Sequence, residues 1–233
     1  GQYLKALLYY RCFLRLLPLL PKEASVVYPF ENQPWERALL LARQKRQNTV
    51  KIFAYQFFPI PANFLIYAFS RKARKLHFVP NGFLSSDTQT HQQFIDQGFT
   101  TYPLGSSRYQ AMMHGTWPIQ SADDRKRVLC SLFLDPKEAI PLLKKAIAVT
   151  EALNVPLWVN YHPMLATDII QQMSDIIAQH EHVELRNQSV SELLPYTFVQ
   201  LYNSSSVCYE AALRGTPPVY VSCDGLPDLN RFS

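Results

Sequence analysis

Glycine is scarce in this chain, with seven among 233 residues against 17 prolines. Gly-rich phosphate loops need several glycines at fixed spacing, and neither GxGxxG nor GxxxxGKS/T occurs. Cysteine is equally thin. Cys12, Cys130, Cys208 and Cys223 show no CxxC spacing, which speaks against a zinc knuckle or a redox pair. The last three lie in or beside apolar runs, where a small buried thiol is expected, and a reducing cytoplasm fits. Long hydrophobic runs are missing too. The nearest is residues 4–20 (LKALLYYRCFLRLLPLL), which carries Lys5, Arg11 and Arg15 and is short for a span of ~20 residues. It lacks the small-residue cleavage site of a signal peptide. A helix docked on a neighbouring domain is expected there, with Arg11 and Arg15 four apart on one face. The chain starts without Met and stops soon after an apolar strand, so it reads as an excerpt of a longer protein.

Hydrophobic residues make up 48% and charged residues 18%, enough for a sizeable core and too apolar for disorder. The length suits one large domain or two small ones. A net charge of +5 and a pI near 9.0 raise a nucleic-acid partner. The cations are dispersed, however, in Arg43-Gln-Lys45-Arg46, Arg71-Lys-Ala-Arg74-Lys75 and Arg125-Lys-Arg127, each read as a connection between apolar segments. No continuous basic and aromatic face is expected, so no nucleic acid is. Solvated loops explain the clusters, and so does attraction to a membrane surface or an anionic substrate. Composition leaves those readings open.

From Arg127 onward the rhythm is clear. Apolar runs at 127–134, 156–161, 182–185, 198–202 and 218–222 alternate with helical spacing at 137–153, 167–179, 189–195 and 206–213. That alternation predicts βαβ units on a parallel sheet with helices on both faces. The first half is looser but similar. Strands are predicted at 24–28, 50–55, 76–79 and 100–104, and helices at 34–46 and 87–97, the first opened by Pro34 and the second closed by Gly98. Residues 57–70 are ambiguous, and 114–124 read as a linker. The division expected is an N-terminal domain at 1–115, itself incomplete, and a second at 120–233.

Three constellations carry chemistry. His162-Pro163 directly follows the strand PLWVNY, and ligands of open parallel sheets bind beyond the carboxyl ends of strands. His162 there is either a phosphate donor or an ordinary loop histidine. Asn203-Ser204-Ser205-Ser206 sits between a strand and a helix, where hydroxyls and free N–H groups form an anion site. Plain N-capping is the alternative, though it needs one serine and not three. Glu210, further along that helix, is either an acceptor for ribose hydroxyls or a solvent-facing glutamate. Glu31-Asn32-Gln33-Pro34-Trp35-Glu36 leaves a strand just before a helix. A carboxylate there is placed as a general base, or Glu31 and Glu36 simply cap the helix and complement its dipole.

Taken in order, PFENQPWERALLLA, VPNGF, PLGSSRY, LWVNYHP and YNSSSVCYEAALRGTPPVYV resemble bacterial surface-carbohydrate biosynthesis proteins of the GT-B type. The closest flavour is transferases that use CMP-activated acidic sugars, such as sialic acid or 3-deoxy-octulosonic acid. The resemblance spans residues 25–230. The HP and Ser/Glu elements are shared broadly across CMP-sugar and polyglycerol-phosphate transferases, and ENQ-W-E points to a narrower subgroup. It implies two Rossmann-like α/β domains with mainly parallel sheets, and a glycosyltransferase acting on a surface polysaccharide or glycolipid of capsule or lipopolysaccharide type. His162, Pro163, Ser204, Ser205, Ser206 and Glu210 would then bind the donor, with His162 also in catalysis. Glu31 would be the catalytic carboxylate, and Asn32, Gln33 and Arg108 would orient it or hold the acceptor. No cofactor or metal is implied beyond the CMP-sugar substrate. Asp123-Asp124, followed at once by Arg125-Lys-Arg127, resembles a metal pair only superficially. Where the broader pattern has a basic residue before HP, this chain has Asn160-Tyr161, so Arg108 becomes the candidate counter-charge. The implied location is the cytoplasm, with peripheral contact at the inner membrane face left open. A transferase or epimerase for another nucleotide donor, polyol-phosphate transfer included, stands as the alternative. So does a non-catalytic scaffold on a degenerate transferase fold.

Overall fold

Alternating burial builds the first sheet. In β1 (Ser25–Pro29) and β2 (Lys51–Gln56), Tyr28, Ile52 and Ala54 are buried on one side, while Val27, Phe53 and Tyr55 point to the other. β3 (Gly82–Ser85) and β4 (Thr101–Pro103) complete a four-stranded sheet in the order β1-β2-β3-β4, every pair parallel. The computed structural model describes residues 2–59, 69, 70, 73, 75, 78–115, 121, 124–225, 228, 230 and 232. Within them, residues up to Gln110 form one compact unit and those from Ala111 a second.

In the first unit α2 (Pro34–Lys45) lays Leu39, Leu40 and Ala42 on the core. α3 (Thr88–Asp96) is capped by Asp87, which accepts the Thr90 N–H at 2.7 Å, and Gly98 closes it at φ +76°. The core is strongly aromatic: Phe83 stacks on Phe94 at 4.1 Å, with Phe30 and Phe99 edge-on to Phe83. α1 (Gln2–Leu16) packs along α2 and continues into a 3-10 turn, Leu17–Leu19. The helix expected to dock on a neighbouring domain docks instead on α2, within its own unit. The strand expected at 76–79 needs correcting. Residues 76 and 77 lie outside the described set, Phe78 and Val79 are not in a strand, and the strand is Gly82–Ser85. Pro80 has no N–H for a ladder, whereas Asn81 locks the entry to β3. Its backbone N–H donates to the Ile52 carbonyl at 2.7 Å, and its Oδ1 accepts the Ile52 N–H at 2.8 Å.

The second unit follows the predicted alternation. It runs β5 (Arg127–Ser131), α5 (Pro136–Ala152), β6 (Leu157–Asn160), α6 (Thr167–Ile177), β7 (Val183–Arg186), α7 (Val190–Leu193), a 3-10 turn, β8 (Thr197–Tyr202), α8 (Val207–Leu213) and β9 (Pro218–Tyr220). All four pairings are parallel, in the order β7-β6-β5-β8-β9. One sheet face, with Cys130, Val159 and Leu201, buries Leu142, Leu143 and Met173 from α5 and α6. The other, with Leu129 and Trp158, packs Leu193, Leu194 and Ala211. Helices on both faces explain why these strands read as continuous apolar runs. Cys130, Cys208 and Cys223 are buried free thiols, as their surroundings predict. Arg127 is not a loop cation: its guanidinium lies 4.6 Å from the Trp158 ring, as does that of Arg186. The division between units falls inside α4 (Ser107–His114), and 116–120, 122 and 123 of the expected linker lie outside the described residues.

Candidate functional site

In the second unit the chain runs outward from β5 to β6 and β7, then returns to β8 and β9 on the other flank. Strand order reverses between β5 and β8, and ligands of open α/β sheets bind in the crevice beyond the carboxyl ends of such strands. The loop that leaves β8 there is Asn203-Ser204-Ser205-Ser206. Asn203 and Ser204 are buried. Asn203 Oδ1 accepts the Ser204 N–H at 2.8 Å, and its Nδ2 donates to the Glu138 carbonyl at 3.3 Å. The Ser204 hydroxyl donates to the Glu138 carboxylate in the first turn of α5. Ser204 is thus engaged by an acid of its own chain, which the anion-site reading did not foresee. Ser205 and Ser206 are half-exposed, with Ser206 as the residue before α8.

His162 follows β6, on the other flank of β5. It is half-exposed and sits edge-on to Phe133 at 6.5 Å between ring centres. The Met164 N–H donates to its Nδ1 at 3.1 Å. In the neutral ring that bond leaves the proton on Nε2, so the far nitrogen is a fixed donor. Pro163 is exposed beside it. His162 and the serine loop therefore both lean on the segment leaving β5, through Phe133 and Glu138 respectively. Glu210 is not the solvent-facing glutamate of the alternative reading. It is buried, and its Oε1 accepts from Ser191 Oγ and lies 3.2 Å from the guanidinium of Arg214, whose side chain is 10% exposed. Arg214 also donates to the Ser191 carbonyl at 2.8 Å. The i, i+4 spacing of Glu210 and Arg214 was a readable signal of that pair.

The ENQ element lies in the first unit. Glu31 is exposed, and its carboxylate makes no hydrogen bond or ion pair among the described residues. It is not the helix cap that the alternative reading required. That work falls to Glu36, whose Oε1 accepts the Glu31 and Gln33 N–H groups, each at 2.9 Å. Gln33, exposed, is the N-cap of α2. Asn32 takes a left-handed φ of +57°, and its Oδ1 accepts from Arg37 at 2.7 Å. Glu36 is 1% exposed, and its Oε2 is buried without a hydrogen-bond partner. Burial pushes its carboxyl above the ordinary 4.5, against the opposing pull of the Gln33, Glu31 and Asn32 amides. The capping expected of the two glutamates therefore holds for Glu36, at the Gln33…Glu36 spacing of a capping box. Arg108 also needs correcting: it is not at a strand end but in the first turn of α4, exposed, its guanidinium 5.5 Å from the Tyr109 ring. The left-handed turn at Gly105, φ +81°, ends the extended run and lets the helix start.

No known family's sequence profile matches the chain, and no curated protein sequence does. Solved structures do. UDP-N-acetylglucosamine 2-epimerase from Rickettsia bellii superposes with a TM-score of 0.56 at 13% identity, over 91% of this chain and 60% of that one. The UDP-GlcNAc 2-epimerase of Neisseria meningitidis, solved with UDP-GlcNAc, gives 0.55 at 11%, over 94% and 64%. MurG of Acinetobacter baumannii gives 0.55 at 12%, over 96% and 59%. The chain has the GT-B fold. It spans about three fifths of the length of these structures, and at such identity the likeness speaks for the fold alone. Among the described residues, no group of three or more His, Cys, Asp or Glu could hold a metal ion. No described helix is long and apolar enough to cross a membrane.

Proposed function

We propose that the chain belongs to a glycosyltransferase that moves an acidic sugar from its CMP-activated form onto a surface-polysaccharide or glycolipid acceptor. The observation that carries this reading is the serine loop at the point of strand reversal, with the oriented Nε2–H of His162 on the neighbouring strand exit. Donor phosphate would take hydrogen bonds from His162 and from the Ser205 and Ser206 hydroxyls. Ser204 and Asn203 hold that loop in place through Glu138. Glu31 would take the proton of the acceptor hydroxyl as its oxygen attacks the anomeric carbon and the nucleotide leaves with the bonding electrons. Asn32 and Gln33 share its loop, the first already fixed by Arg37.

A second reading, a sugar- or partner-binding scaffold without catalysis, draws on Glu138. A carboxylate lodged on Ser204 adds negative charge where phosphate is expected. Calorimetric titration of CMP, UDP and GDP separates the readings. Binding of CMP ahead of the others, weakened roughly 10- to 150-fold in His162→Ala, is expected from a lost hydrogen bond to a charged group. Tighter UDP binding would move the assignment to another donor, epimerases included. Absence of binding by all three would leave the scaffold.

A further inference from the structure

The outer face of α1 plays no part in the donor and acceptor assignments. Its inner side, Tyr10, Phe13 and Leu14, packs into the first core together with Leu17 of the turn that follows. The opposite side carries Leu4, Leu8, Arg11 and Arg15 in one helical row, flanked by Lys5 and Leu16. Leu4 is 64% and Leu8 58% exposed, and the two arginines and Lys5 are exposed as well. Residues 1–20 contain no Asp or Glu. None of the three cations has a carboxylate at ion-pair distance among the described residues. α1 is nevertheless anchored. Arg46 donates to the Leu14 carbonyl at 3.1 Å, and Asn48 to the Leu17 carbonyl at 3.1 Å. An apolar groove of about 420 Å³, lined by Ala6, Leu7, Tyr10, Ala38 and Leu41, runs beside it between α1 and α2.

We infer that this face docks on an anionic lipid surface. Its leucines would enter the acyl boundary, while Lys5, Arg11 and Arg15 stretch their stems along it and meet lipid phosphates. Charge decides the occupant: a face of exposed leucine and unopposed cations complements an anionic bilayer, and a second copy of the same face would set cation against cation. Docking also has a positional consequence. A second hollow, of about 250 Å³, is lined by Lys5, Tyr9, Gln33 and Trp35, so the ENQ loop lies alongside the docked helix. The inference stands whether or not Glu31 is a base.

Co-sedimentation of the full chain with phosphatidylcholine vesicles, with and without phosphatidylglycerol, tests it. Binding to the phosphatidylglycerol vesicles only, weakening as salt is raised, is expected. The Lys5→Glu/Arg11→Glu/Arg15→Glu variant should bind roughly 100-fold more weakly or worse, since each basic residue near the surface contributes about fivefold. Leu4→Ser/Leu8→Ser, which keeps every charge, should also bind more weakly, with circular dichroism confirming that both variants fold. Equal binding to both vesicle types, full binding by the charge-reversed variant, or no binding at all would overturn the inference. So would a dimer in analytical ultracentrifugation that Leu4→Ser/Leu8→Ser abolishes, because the face would then be covered by a second copy.

Discussion

The donor side contains a small buried network whose members depend on one another. Arg214 neutralises Glu210 while holding the Ser191 carbonyl, so removing the guanidinium strands a buried carboxylate. Arg214→Met should cost about 3–5 kcal/mol in urea unfolding, and Glu210→Gln added to it should recover part of that loss. Glu36 has the opposite dependence on acid from a salt-bridged carboxylate. Because its carboxyl is raised in the folded state, its contribution to stability is complete below the unfolded value, near 4.5, and is lost as pH rises through the folded value. The stability of the natural chain relative to Glu36→Gln should therefore rise as pH falls from neutrality, read as urea midpoints across a pH series. Glu31 is exposed, so Glu31→Gln should leave the melting temperature unchanged while lowering turnover about 10²–10⁴-fold with CMP binding kept. A Glu31→Gln enzyme of normal turnover would end its assignment.

At the scale of elements, the second unit was legible strand by strand because its runs are buried on both faces and separated by helix-length segments. β3 was not. Its four residues, Gly-Phe-Leu-Ser, are too short for a period, and the more apolar Phe78-Val79 just before Pro80 drew the strand there. What fixes β3 is contact and not pattern: a Cβ on Gly82 would stand 3.2 Å from the Thr100 carbonyl oxygen and 3.2 Å from the Tyr102 ring. Gly82→Val should accordingly destabilise the first unit by about 1–3 kcal/mol, measured by chemical denaturation. The candidate site shows the same divide. Strand exits at His162 and Ser204–Ser206 follow from alternation alone, whereas Glu138 and Ser191 reach the site from helices whose approach only the packed sheet determines. Ser204 looked like one of three equal hydroxyls, and its burial makes it different from Ser205 and Ser206.

On the scale of the whole molecule, each hydrophobic core closes within its own unit: Phe83 and Phe94 in the first, Leu143 and Met173 in the second. Phe83→Ala and Leu143→Ala should each cost several kcal/mol, about 3–5 and 2–5 respectively, and scanning calorimetry should show them lowering different transitions. A single transition shifted equally by both would mean that the units unfold together. The two strand orders also set different schedules for a chain emerging from a ribosome. The first sheet grows in sequence order, each strand docking on the one just made. In the second, β5 gains β6 early, but its other flank stays open until β8 arrives, with Val128 waiting for Val199. During that interval a strand made of Val128, Leu129 and Cys130 offers an unpaired edge to any other nascent chain. Translation slowed before β8 should therefore raise the aggregated fraction of the second unit and spare the first.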